Sequence, residues 1–341
     1  MNPSETRKLG SSGVELTQLG FGSAPLGELF VRVDEATAAA TLRAAWDAGV
    51  RYYDTAPYYG RGLAEIRCGR FLDTKPRSEF VLSSKVGRWF FPPAKPDAFE
   101  TEPWAGGLHF DHVHDYSYDG IMRSYEQSLM RLGMNRIDLL LIHDLDFLFH
   151  AIDAKVSAYL TQLFTSGWRA LDELRSHGLV RGLGAGINEL GMMPRFLDAL
   201  PLDFFLVALR YTLMEQDVLR EEFPYCQRLG VGVVVGGVFN SGITATGPMP
   251  SAKYNYRDAT PEELDRAAKI EAVCAAHGVP LAAAALQFPL AHPIVASIIP
   301  GAFSPDQVRQ NVENCRRAIP ASLWSDLKGA GLISGDAPTP P

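Results

Sequence analysis

Asp54, Tyr59, Lys85 and His143 are four side chains that could together move a proton. A phenol ordinarily ionises near pH ~10, so it carries protons at neutral pH only if something favours its phenolate. An ammonium group close by does this, and a carboxylate beside the ammonium keeps it charged and in place. An imidazole near the phenol can orient a substrate oxygen or relay its proton. The set suits hydride transfer, in which a carbonyl or alcohol oxygen gains or loses a proton as the hydride moves. Each residue also has a local reading. Asp54 could cap the Tyr58–Gly60 turn, Tyr59 could pack on a rim, Lys85 could be solvated, and His143 could satisfy nearby backbone. Those separate readings leave a shared position unexplained. Asp54, Lys85 and His143 each close an apolar, strand-like run, and Tyr59 lies on the loop just after one.

The runs that must position them alternate with helical patterns. Strands are expected over 19–22, 52–54, 80–85, 137–143, 180–185, 204–209, 232–235 and 295–299, nearly all apolar as buried parallel strands are. Between them, Asp34 opens a helix that Gly49 stops, and Ser117 or Asp119 opens one that Gly133 stops. Thr260-Pro-Glu-Glu263 and Ser304-Pro-Asp-Gln307 read as capping boxes with proline at the first helical position. About eight β/α units in one chain predict an α/β (β/α)8 TIM barrel, a single domain over 1–341. Arg7–Leu16 reads as an N-terminal β-hairpin, and 334–341 as a disordered tail. In such a barrel the strand ends converge on one mouth, where catalytic groups sit. Stretches 88–115 and 144–165 are too long for plain connectors and leave from that mouth, so both are candidate substrate loops.

Composition narrows the partners. Lys+Arg of 32 against Asp+Glu of 39 gives a net charge of −7, which argues against nucleic acid or an anionic membrane as partner. Cys68, Cys226, Cys274 and Cys315 form no CxxC pair, so no metal site is expected and the thiols read as reduced and buried. The first residues lack the apolar core of a signal peptide, and no run of ~18 apolar residues exists. A cytoplasmic enzyme acting on a small molecule is expected; its oligomeric state is left open.

The motifs Asp54-Thr-Ala-Pro-Tyr-Tyr59-Gly, Ser84-Lys85-Val-Gly-Arg88, Arg123-Ser-Tyr-Glu-Gln-Ser-Leu-Met-Arg-Leu-Gly-Met-Asn-Arg-Ile-Asp138 and Leu141-Ile-His143 resemble the aldo-keto reductase superfamily, from about Lys8 to about Arg317. The resemblance implies a nicotinamide cofactor lying across the mouth without a Rossmann domain. It also implies Tyr59 as general acid/base, Lys85 and Asp54 as its tuning pair, and His143 as the orienting group. Gly20-Phe-Gly22 is no dinucleotide fingerprint, since the third glycine is missing and no helix follows at once. Among cofactor contacts the resemblance implies Gly22, Asn188 for the carboxamide, Phe239 or Asn240 beside the nicotinamide, and Gln310 and Asn311 for the adenine. Where NADPH-preferring relatives hold the 2′-phosphate with cations, this chain has Gly301, Ala302 and Gln307. A phosphate without cationic partners is poorly compensated, so NAD is expected, with NADP also admitted.

Narrower features, Gly184-Ala-Gly-Ile-Asn188, Leu209-Arg-Tyr-Thr-Leu213 and the His143-Asp144 pair, resemble the branch of D-threo-aldose 1-dehydrogenases (L-fucose or galactose dehydrogenases) and pyridoxal 4-dehydrogenases. That implies oxidation of the anomeric carbon of a free aldose to the lactone, with Trp89, Phe90, Trp104, His109 and His112 of the long loop shaping the sugar site. The alternatives are oxidation of pyridoxal to its lactone, NADPH-dependent aldehyde reduction, and last a non-catalytic cofactor-binding regulatory subunit.

Overall fold

The apolar runs do pair in one direction and close on themselves. A computed structural model of the chain describes residues 2–341. Its strands are β1 (Thr6–Lys8), β2 (Glu15–Thr17), β3 (Phe21–Gly22), β4 (Tyr52–Asp54), β5 (Val81–Val86), β6 (Arg88–Phe91), β7 (Asp111–His114), β8 (Leu139–His143), β9 (Gly182–Ile187), β10 (Phe204–Ala208), β11 (Gly232–Gly236), β12 (Lys253–Tyr254), β13 (Arg257–Asp258) and β14 (Val295–Ile299). The eight-stranded sheet runs β14-β11-β10-β9-β8-β5-β4-β3, every neighbour parallel. Bridges Leu19↔Ile298 and Gly22↔Gly301 join its two edges, so no strand edge stays open. This is the expected (β/α)8 barrel.

Two cores follow from the period-2 alternation of strand side chains. Tyr52, Leu139, Leu141, Phe204, Leu206, Val234, Ala296 and Ile299 form one cluster with Leu9, Val14 and Leu16 of the β1–β2 hairpin. The hairpin thus plugs the end of the barrel opposite the mouth. At Gly10 (φ +47) a Cβ would stand 2.2 Å from the Asp203 carbonyl oxygen, so only glycine lets the plug sit this close. The other strand faces pack outward on the helices, in one continuous cluster.

Local signals place the helices that connect the strands. The Asp34 side chain accepts from the Thr37 N–H at 2.8 Å and opens the helix Glu35–Asp47. Ser117, not Asp119, caps Tyr118–Leu132, which ends at Gly133 with φ +65. Thr260 and Glu263 form the reciprocal box expected of them. The Ser304 box is only half made: Ser304 accepts from the Gln307 N–H, but Gln307 Oε1 takes the Phe303 N–H at 2.7 Å instead of that of Ser304.

The long connections hold more order than their composition suggests. Stretch 88–115 contains the antiparallel pair β6–β7, and 144–165 is largely helical over Phe147–His150 and Asp153–Gln162. The chain end also differs from expectation. A helix over Ala321–Gly329 buries Leu323, Trp324 and Leu327, and the tail is packed, with Ala337 buried and the Ser334 N–H donating to Gln216 Oε1 at 3.1 Å. The low hydrophobicity of the last eight residues hides this, because one small alanine and backbone hydrogen bonds anchor them to a surface built elsewhere. All four cysteines are buried and unpaired, and among the described residues no single helix is long and apolar enough to cross a membrane.

Asp138 ties two strand starts together. Its carboxylate accepts from the Leu82 N–H at 2.8 Å and from Arg77 at 2.7 Å, and its carbonyl accepts from the Arg181 and Gly182 N–H groups. Asp138→Ala leaves the buried Leu82 N–H unpaired and takes the carboxylate partner from the Arg77 guanidinium, so urea unfolding should show a loss of about 2–4 kcal/mol.

Candidate active site

The strand ends at the mouth surround a cavity of about 360 Å³, and Tyr59, Lys85 and His143 all line it. Asp54 lies just beneath. In parallel register Asp54 faces Ser83, which places Lys85 one pleat further along the same inner face. Lys85 Nζ donates to Asp54 Oδ1 (3.0 Å), Asp54 Oδ2 (2.8 Å) and the Thr55 carbonyl (2.8 Å), so all three of its protons are taken. Ser83 and Lys85 crowd one carboxylate, Ser83 Oγ donating to Asp54 Oδ1 at 2.7 Å. Both members of the ion pair are 1% exposed.

Tyr59 is presented by a turn in which Gly60, Arg61 and Gly62 all have positive φ. Arg61 is held in this unfavourable conformation by hydrogen bonds to the Phe110 carbonyl (3.0 Å) and to His112 Nδ1 (3.3 Å). At Gly27 a Cβ would meet the Gly60 nitrogen at 2.5 Å, so the Ala24–Gly27 turn clamps the Tyr59 backbone from the other side. The Tyr59 ring stands edge-on to His143 at 6.0 Å between centroids, with Lys85 Nζ 4.7 Å from its own centroid.

The expected acidification of this phenol by Lys85 is not what the free site produces. Burial raises the Tyr59 hydroxyl well above its usual range, Asp54 and Asp144 raise it further, and the cation that lowers it is Arg88. Lys85 is matched at contact distance by Asp54, so at Tyr59 the two act as a short dipole rather than a free positive charge.

Arg88 is the residue to which sequence reasoning gave no role, although it closes the Ser84-Lys85-Val-Gly-Arg88 motif. Its side chain is 1% exposed and donates from Nη1 to Asp144 Oδ2 (2.8 Å) and His143 Nδ1 (3.0 Å), and from Nε to His114 Nε2 (2.9 Å). Gly87 (φ +109) brings it there, where any Cβ would stand 2.3 Å from the Tyr116 ring. Asp144, itself at φ +51, also accepts from Asn188 Nδ2 at 2.9 Å. Asp146 Oδ2 takes the Asn188 N–H (2.7 Å) and Nδ2 (3.0 Å), and burial beside Asp144 pushes its carboxyl up to about 6.

Of the residues expected around substrate, Trp104 lines the cavity, buried and 5.9 Å from the Tyr59 ring. The other four do not. Trp89 faces outward under Arg123, its ring 3.8 Å from that guanidinium, and Phe90 packs on His112 while its backbone pairs with Gln127. His109 is exposed and bonded to the Pro96 carbonyl, and His112 stands behind Tyr58. The alternation of β6 puts Trp89 on its outer face, while Phe90 on the other face is taken up by His112 of the paired strand β7, and neither outcome can be read from composition. The walls come instead from Leu29, Phe30, Tyr58, Leu148 and Phe149, with Asn255 and Tyr256 from the tip of the β12–β13 hairpin.

The cofactor positions divide similarly. Asn188 and Gly186 line the cavity; a Cβ on Gly186 would meet nothing closer than 3.8 Å, so this strand end leaves open space beside His143 and Lys85. With Nδ2 spent on two carboxylates, Asn188 has its amide oxygen left for a ligand. Gly22 and Gly301 are bridged at the seam, where a Cβ on Gly22 would stand 2.7 Å from the Ile299 carbonyl oxygen. Asn240 is fully buried with its Oδ1 unpartnered, Phe239 packs on the outer core, and neither lines the cavity. Gln307 is exposed with its side-chain oxygen on the Phe303 N–H, and Gln310 and Asn311 lie on the outer helix Pro305–Arg316. A nicotinamide cofactor fits the uncrowded mouth at Gly186 and the free amide oxygen of Asn188.

Known proteins resemble this chain along its length. The sequence matches the Aldo/keto reductase family over residues 18–331. It is 43% identical over 342 residues to a pyridoxal 4-dehydrogenase of Microbacterium luteolum, covering 98% of this chain and 99% of that protein. It is 40% identical over 337 residues to a D-threo-aldose 1-dehydrogenase of Pseudomonas sp, covering 97% of each. An aldo-keto reductase of Bacillus halodurans in its holo form superposes with a TM-score of 0.71 at 26% identity over 96% of both chains. A glycerol dehydrogenase of Gluconobacter oxydans, at 21% identity, shares the fold with a TM-score of 0.72 over 99% of this chain and 98% of that one.

Because burial outweighs the nearby cations, the Tyr59 phenol of the cofactor-free protein should stay protonated beyond about pH 10, the ordinary tyrosine value. Ultraviolet titration of the wild type minus Tyr59→Phe should therefore show no ionisation up to that point. A phenolate forming near neutrality in the free protein would contradict the balance of charges described here.

Proposed function

The chain belongs to the aldo/keto reductase family, and on that premise we propose that it is a nicotinamide-dependent dehydrogenase oxidising the hemiacetal carbon of a cyclic substrate to a lactone. The observation that carries this reading is the convergence of Tyr59, Lys85 and His143 on one cavity beside the open strand end at Gly186. The named relatives act on an aldose and on pyridoxal, and both compounds close to rings bearing a hydroxyl on the carbon next to the ring oxygen.

When bound, the nicotinamide supplies the hydride acceptor and, oxidised, a positive charge in the cavity. Tyr59 takes the hydroxyl proton of the substrate as its C–H hydride leaves and the C–O bond becomes a carbonyl. Lys85, its charge matched by Asp54, stands against the Tyr59 ring without giving up a proton, since each Lys85 proton is already bonded. His143, pushed well below its usual range by burial and then by Arg88 and Lys85, is a neutral group that orients the substrate oxygen. Asn188 holds the carboxamide through its free oxygen.

The preference for NAD gains support from the last unit. Across 301–311 the one cation is Arg309, and it is paired with Asp306. A 2′-phosphate there finds no uncommitted positive partner in that segment. For substrate, an aldose can lay a C–H face on Trp104 and offer hydroxyls to Asp144, Asn255 and Tyr256. The apolar walls of Leu29, Phe30, Leu148 and Phe149 favour the second reading, a flat pyridoxal-like hemiacetal that needs fewer polar partners.

Tyr59→Phe should lower kcat by about 10²–10⁴-fold with the melting temperature unchanged. Initial rates with L-fucose, D-arabinose, L-galactose and pyridoxal, each with NAD and NADP, should show lactone formation favouring NAD. Strict NADPH dependence with aldehydes reduced and no lactone formed would sink the reading.

A further inference from the structure

We propose that Arg88 is a positioning residue that fixes His143 as a neutral imidazole carrying its proton on Nε2. The role given to that proton, donation to the substrate oxygen, rests on the dehydrogenase reading; the tautomer itself does not. A guanidinium has donors and no acceptor. With Arg88 Nη1 3.0 Å from His143 Nδ1, that nitrogen must present its lone pair, and a neutral ring then holds its one proton on Nε2. Protonation of Nδ1 would set N–H against N–H in a buried place. The same logic holds at His114, whose Nε2 receives Arg88 Nε at 2.9 Å, so one cation sets two imidazoles.

Arg88 cannot turn aside from this duty. Its guanidinium lies against the rings of both Tyr58 and Phe149, 4.5 and 4.6 Å from their centroids, and Asp144 grips it at 2.8 Å. The groups facing His143 are Arg88, Lys85 and His114, which oppose a positive ring, and Asp144, whose Oδ2 lies 3.4 Å from Nε2 and favours one. Tyr59 stands at its edge, and the Tyr116 hydroxyl donates to its backbone carbonyl at 2.8 Å. Arg88 occupies Asp144 and opposes the positive ring at once, so among the charges around His143 it does most to reinforce what burial begins. A lysine has the charge but not the planar fork that reaches His143, Asp144 and His114 together. The consequence for chemistry is a division of labour: His143 gives a hydrogen bond and never competes for the proton that Tyr59 carries.

The experiment uses full-length protein with isotope-labelled histidine, in which long-range proton–nitrogen spectra show which ring nitrogen is protonated. His143 signals are identified by their loss in His143→Asn. In the wild type His143 should hold its proton on Nε2, unchanged between about pH 5 and 8. In Arg88→Met it should titrate inside that window, since a cation is gone and Asp144 is left unpaired. In Arg88→Lys, kcat should fall about tenfold or more with the cofactor KM changed less than about threefold. A wild-type His143 that is cationic, or protonated on Nδ1, overturns the proposal without recourse to any variant. So does an unaltered His143 titration in Arg88→Met that retains the wild-type circular dichroism. If no hemiacetal is oxidised, the functional reading fails, and the tautomer measurement still upholds or overturns the assignment to Arg88.

Discussion

Two opposite charges sealed from water at the ends of neighbouring strands set the terms for the mouth of this barrel. Lys85 and Asp54 are each 1% exposed. Removing two such charges from water costs several kcal/mol per ion and is recovered only through close geometry with every remaining lone pair and proton satisfied. That condition is met: three acceptors for Lys85, and Ser83 as an added donor to Asp54. It can be met only in one register. A slip of one residue between β4 and β5 would send Lys85 to the outer, helix-covered face, where Ser84 instead bonds Glu65. The ion pair and the barrel register therefore specify each other.

The same device recurs around the mouth. Arg88 pairs with Asp144, Arg131 with Glu65, and Arg67 with Glu28, each with both side chains mostly or wholly buried. These pairs lock backbone that is otherwise strained. Asp144 sits at φ +51 next to His143, and the Arg67 guanidinium also takes the Leu26 and Val33 carbonyls, fixing the turn that clamps Tyr59. Rigid placement of the phenol and imidazole comes largely from ion pairs set into the surrounding backbone.

The barrel and the convergence of Asp54, Tyr59, Lys85 and His143 at its mouth were legible because both rest on short-range signals: apolar runs of strand length, and polar residues at their C-terminal ends. Boundaries moved by a residue or two, as with the expected 180–185 strand found at Gly182–Ile187. What was hidden depends on long-range pairing or on backbone conformation. Trp89 and Phe90 look like sugar-stacking residues until β6 puts the first on its outer face and the paired β7 takes up the second. Tyr256 reaches the cavity from the far end of the chain, with φ +64 at a hairpin tip that no local pattern announces. The Ala321–Gly329 helix did carry a signal, Leu323, Trp324 and Leu327 on one face, that went unread. The direction of the Tyr59 shift could not be read from residue types at all, since it turns on which cations are already paired.

That pairing also explains how a buried phenol could be kept protonated in the free protein and yet serve as a base. Lys85 with Asp54 and Arg88 with Asp144 are neutral as pairs, and His143 is held neutral by burial and by its cationic neighbours. In that setting burial sets the phenol pKa high, and Asp54 and Asp144 raise it further. A positive charge brought beside Tyr59 would favour its phenolate, the more so because the surroundings are dry. On the dehydrogenase reading, such a charge would have to come from the bound cofactor, because Lys85 and Arg88 are each already matched by a carboxylate.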